Sequence, residues 1–162
     1  MNNNFQIFNS TMNLDEYFSV NSISEDAQNK FNSTDFLIVP SKYKDDKYYF
    51  AQESIGFIKF CRQKNAENSI DLLADSDIQI RSLHSFDIWM PIIWVAEFVL
   101  LPIAINLVSD YIKDKLKGRE KEEAKVDVSF VVKCDGEEKK LHYSGDAKTF
   151  KESFEKIDLN EM

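Results

Sequence analysis

Apolar and polar positions divide this chain into stretches of different texture. Residues 1–34 are rich in Asn, Ser and Thr, with Phe5, Phe8, Tyr17, Phe18 and Phe31 scattered among them. This reads as an N-terminal arm that packs its aromatics on a domain or docks on a partner, with a short helix capped by Asn13 and Glu16. The texture changes at Asp35. The run FLIV stopped by Pro40 predicts a short strand covered on both sides. Beyond a charged loop, Ile55, Phe57, Ile58 and Cys61 fall at helical spacing within 51–64, and the stretch 63–68 ends that helix. SIDLLAD (69–75) predicts a second apolar strand, and DIQIRSL (77–83) alternates as a half-exposed strand does.

The longest apolar stretch follows. From Ile88 to Val108 only Glu97 is charged, and a Lys-rich turn then leads to Gly118, a usual helix stop. The pattern predicts one long helix over 88–117, apolar all round at its start and amphipathic by Asp110. Pro91 fits its first turn, while Pro102 is expected to bend it. Such a helix is hidden in protein or in lipid. The apolar part matches the ~20 residues that a bilayer core needs, but Glu97 near the midplane costs about 2.5–3.5 kcal/mol on insertion scales. Glu97 is therefore the charge candidate of this stretch: a relay if lipid surrounds it, a paired or solvent-facing carboxylate if protein does.

Past the charged run at 118–125, Val126, Val128, Phe130 and Val132 alternate with opposite-face residues. Asp135-Gly136 is a hairpin turn pair, and Lys140, His142 and Ser144 alternate against Leu141 and Tyr143. Asp146 is placed to cap a last helix with Phe150, Phe154 and Ile157 on one face. The element order predicts an α+β fold: a small two-layer sandwich of ferredoxin-like βαβ-αββα order, helices on one face of a mostly antiparallel sheet, with one long apolar helix. The domain spans 35–162 and the arm 1–34.

Composition narrows the function. Of 162 residues, 28 are Asp or Glu against 20 Lys or Arg, a formal net charge of −8. A polyanion is repelled by that balance, so no nucleic-acid partner is expected. Cys61 and Cys134 stand apart without CxxC spacing and read as apolar fillers in a reducing compartment, so neither metal nor cofactor is expected. The first residues lack a basic segment followed by an apolar run, which makes the cytoplasm the expected location and the inner membrane the alternative. His84 and His142 are conceivable bases, but neither adjoins a Ser or Cys in a nucleophile elbow. Asp45-Asp46 and Asp71, Asp75 and Asp77 lack an accompanying phosphate-binding motif. The expectation is no enzyme.

The plan of 88–157 resembles the effector-associated constant component family of bacterial antiphage conflict systems. The resemblance is carried by IWMPIIWVAEFVLLPIAINLVSDYIKDKL as the long helix, VDVSFVV, the DG turn and DAKTFKESFEKI. It implies a non-enzymatic accessory or adaptor module that assembles with a larger effector or sensor protein, or with itself, and it carries over no functional residue. An apolar helix too large for so small a sandwich would leave a patch for that partner, with Trp89, Trp94, Phe98 and Leu101 as anchors. The alternative is a membrane-acting effector that inserts 88–108 as a transmembrane helix.

Overall fold

The computed structural model describes residues 4–9, 25–42, 48–73, 79–81, 87–118, 123–134 and 137–155. The chain opens with strand β1 (Asn4–Asn9) and helix α1 (Glu25–Asn32). Strands β2 (Phe36–Val39), β3 (Ser41–Lys42) and β4 (Tyr48–Ala51) lead to helix α2 (Ser54–Lys64) and strand β5 (Ile70–Leu72). Because β5 lies parallel beside β2, this is a strand–helix–strand crossover, the connection that parallel neighbours require. After β6 (Ile80–Arg81) comes a second crossover: β7 (Ile88–Val95), a 3-10 turn at Phe98–Leu100, α3 (Leu101–Lys115) and β8 (Lys125–Cys134), with β8 parallel to β7. Strand β9 (Glu137–Asp146), a 3-10 turn at Ala147–Thr149 and α4 (Phe150–Glu155) close the described chain.

The two crossovers stand back to back. Their first strands, β2 and β7, pair antiparallel, and the six-stranded sheet runs β1-β9-β8-β7-β2-β5. The fold is α+β, as expected, but the sheet is mixed and wider than a ferredoxin-like order allows. β3, β4 and β6 form a smaller sheet. α2, α3 and α4 touch in series and contact β5, β7 and β9. Inward-facing Ile38, Ile93, Val95, Val126, Phe130, Leu141 and Tyr143 belong to the same buried cluster as the apolar sides of these helices. All four residues of β2 are buried, which bears out the reading of FLIV as a strand covered on both sides.

The predicted long helix is the main correction. Ile88–Val95 is an eight-residue strand at the centre of the sheet, and the helix begins only at Leu101. A continuous apolar run fits a doubly covered strand as well as a buried helix, and periodicity cannot separate the two. What separates them is composition: Ile88, Trp89, Ile92, Ile93, Trp94 and Val95 are β-branched or aromatic and fit a pleated surface. Pro91 sits where the β7–β8 register shifts between Trp89 and Ile92, and β7 pairs with β2 only from Ile92 to Val95. Its missing N–H is thereby placed at a bulge, where a strand tolerates proline. Pro102 occupies the first turn of α3 and bends nothing. The helix stops as predicted, with Gly118 at a positive φ of 84°. Among the described residues no helix is long and apolar enough to cross a membrane, so 88–108 is not a transmembrane helix in this fold.

Part of the expected arm belongs to the sheet: β1 pairs with β9 from Asn4↔Ser144 to Asn9↔Lys139. The expected helix start at Asn13, the Asp135-Gly136 turn and Ile157 lie outside the described residues. β8 and β9 nevertheless pair antiparallel up to Cys134↔Glu137. The Asp146 cap is present, its carboxylate accepting from the Lys148 N–H at 3.0 Å. Asp146→Ala is expected to cost about 1 kcal/mol, read as a lower urea midpoint at unchanged slope.

Candidate functional site

Residues of β7, β8 and β9 that point away from the helices form a second face. The register sets Trp89 beside Asp127 and Ile92 beside Ser129, and places His142 opposite Ser129 with Lys140 opposite Val131. Val39, Ala51, Trp89, Met90, Ile92, Asp127, Ser129, Lys140 and His142 line a cleft of about 170 Å³ here. On its floor His142 Nε2 lies 2.7 Å from Asp127 Oδ2, an ion pair whenever the ring is protonated. His142, which the sequence sets on one strand face with Lys140 and Ser144, is thus a half-buried member of a polar cleft. The cue was its period-two spacing with Lys140 and Ser144; its partner Asp127, one strand away, carried no local signal.

Asp127 engages Nε2, and no hydrogen bond joins the imidazole to the buried Ser129 hydroxyl, so no nucleophile is poised on the ring. Among the described residues no group of three or more His, Cys, Asp or Glu is placed to hold a metal ion. Asp71 Oδ1 accepts from the Leu72 N–H at 2.8 Å and lies 3.7 Å from Arg62, while Asp45, Asp46, Asp75, Asp77 and His84 fall outside the described residues.

A second polar cluster sits on the helix side. Glu53, only 5% exposed, accepts from the Tyr111 hydroxyl at 2.6 Å and pairs with Lys115 Nζ at 3.2 Å. Its backbone N–H donates to the Trp89 carbonyl at 3.2 Å. One residue therefore ties the start of α2 to α3 and to β7. Phe57 and Phe60 meet the Tyr111 ring edge-on, with centroids 5.5 and 5.3 Å away. Burial, then the bond to Glu53, pushes the Tyr111 phenol well above its usual range. Cys61 is a buried apolar filler whose thiol burial pushes up to about 12.

The four predicted anchors do not gather into one patch. Trp89 and Trp94 share the second face of β7 and are half-buried. Among the described residues the buried Trp94 Nε1–H and Ser54 hydroxyl find no hydrogen-bond partner, each a local cost of about 1–3 kcal/mol. Phe98 lies in the 3-10 turn and packs partly on the core. Leu101 is 0% exposed in the core, so it is a packing residue and reaches no partner surface. Glu97 is exposed at the turn after β7, its carbonyl accepting from the Leu100 N–H at 2.9 Å, and so does not stand within a helix. Sequence reading missed Val99, which at 72% exposure is the most exposed large apolar side chain among the described residues.

No family model, curated protein or solved structure matches the chain. The resemblance noted above leaned on one long helix over 88–117, which the fold replaces with a strand, a turn and a shorter helix.

Proposed function

We propose that this chain is a non-enzymatic accessory component that assembles with a larger protein or with a second copy, in the setting of a bacterial antiphage system. The setting rests on the sequence resemblance alone. Assembly rests on one observation: the sheet's central strand presents Trp89, Ile92 and Trp94 half-buried on one face, with Trp89 and Ile92 lining an open cleft. A central strand is normally sealed on both faces, as β2 is, and partly exposed tryptophans are the side chains most enriched at interface hot spots. The His142–Asp127 pair and Lys140 supply a polar border, the arrangement of apolar centre and polar rim that interfaces share.

The test replaces Trp89 with Ser and Ile92 with Glu in one variant. Light scattering after size exclusion is expected to show the native-level protein in an assembly heavier than one chain, and the variant as a monomer that still unfolds cooperatively. An assembly of unchanged mass in the variant would overturn the reading.

A further inference from the structure

A separate groove lies on the opposite side of the sheet, where the end of α3 meets the start of the closing helix. Its floor is Ile112, Leu116 and Ala147, all buried, and its rim carries Lys113, Lys148 and Lys151. The Ala147 N–H donates to the Ala124 carbonyl at 2.9 Å, which fixes this wall to the start of β8. The volume is about 360 Å³, within the range of ~300–1,000 Å³ usual for small-molecule sites.

Charge makes this groove distinctive. In a chain of net charge −8, the described residues that line it include three lysines and no carboxylate. Lys113 also borders a neighbouring depression that contains Asp110 and Asp114. Asp146 lies beside Lys148, its carboxylate accepting from that residue's N–H at 3.0 Å, but it is not among the residues that line the groove, and among the described residues none of the three ammonium groups is ion-paired. Lysines rimming an apolar floor favour an occupant that is negative at one end and apolar along its body.

We propose that this groove binds a small anionic amphiphile, an apolar chain with one anionic head group held by Lys148 and Lys151 and its body over Ile112, Leu116 and Ala147. The proposal is independent of the assembly reading, because the docking face lies on the other side of the sheet.

Calorimetric titration of the full chain with decanoate, decanol and decyltrimethylammonium separates charge from apolar fill. Decanoate is expected to bind one molecule per chain, more tightly than either other probe. In Lys148→Gln/Lys151→Gln its affinity should fall by about three- to tenfold, the loss of two exposed charge contacts, with decanol unchanged. Both lysines are exposed, so the variant should keep the wild-type unfolding midpoint. On the wild-type chain, added salt should weaken decanoate and leave decanol alone. Equal binding of the anionic and cationic probes, or decanoate affinity indifferent to the two lysines, overturns the proposal; the lysine stems would then only cover apolar surface. Failure to bind decanoate together with sedimentation on anionic phospholipid vesicles overturns it too, in favour of a membrane-facing patch.

Discussion

Phe130→Ala is expected to be the most damaging single replacement in the described chain, costing about 3–5 kcal/mol. Phe130 is 0% exposed on β8, and its neighbours leave little room for collapse. Its ring stacks on Phe150 at 6.5 Å and meets Phe154 edge-on at 5.5 Å. Phe150 also meets Tyr143 edge-on at 5.4 Å and lies 4.9 Å from Phe154. Tyr143 cannot swing into the gap, because its hydroxyl donates to the Asp146 carbonyl at 2.6 Å. The lost ring therefore leaves a cavity bounded by groups already committed to other partners, the condition under which truncation costs most. Against a total stability of about 5–15 kcal/mol, that is a large fraction. Urea denaturation should show a lower midpoint at unchanged slope. Val99→Ala, made in the exposed turn, should change stability by less than about 0.5 kcal/mol. Similar costs for the two replacements would mean that the aromatic cluster is not the anchor of the closing helix.

That cluster was legible in the sequence, since Val126, Val128, Phe130 and Val132 keep a period of two and Phe150 and Phe154 a period of four. Each spacing has one structural reading when the opposite face is polar. Ile88–Val95 offered no such alternation. Trp89, Ile92 and Trp94 are apolar although their face is only half-buried, so both faces of the strand carry apolar residues and the period of two that marks strands is lost. The two prolines were misassigned for the same reason, because a proline's role is set by the element around it. The pairings that build the candidate site were harder still. Asp127 meets His142 across a strand pair, and Glu53 meets Tyr111 from 58 positions away. Neither contact follows from local pattern. The groove under Lys148 and Lys151 was invisible because its floor and its rim come from elements that meet only in the fold.

The Glu53–Tyr111 contact leads to a prediction that changes sign with background. Gly56 lies on α2, where Gly→Ala ordinarily gains about 0.8–1.0 kcal/mol. Here a Cβ at Gly56 would sit 2.7 Å from the Tyr111 hydroxyl oxygen. A free tyrosine would rotate away, but this one is held by Phe57, Phe60 and its 2.6 Å bond to Glu53. Gly56→Ala is therefore expected to be net destabilising by about 1–2 kcal/mol, the cost of overpacking less the helical gain. Tyr111→Phe alone should cost about 1–3 kcal/mol, because among the described residues Glu53 then keeps only Lys115 as a side-chain partner in its buried site. With the hydroxyl gone, the nearest remaining ring atom to the new methyl is 3.7 Å away, an ordinary contact. In the Tyr111→Phe background Gly56→Ala should then stabilise by about 0.5–1 kcal/mol. Urea unfolding of the four proteins in this cycle measures the coupling directly, and an alanine effect of the same sign and size in both backgrounds would show that the hydroxyl is not pinned. The coupling bears on function through the Glu53 N–H, which holds the carbonyl of Trp89. A lock that strains at α2 should loosen the strand that carries Trp89 and Trp94, so, if the proposed assembly forms through them, Gly56→Ala should weaken it while Gly56→Ala/Tyr111→Phe recovers part of it.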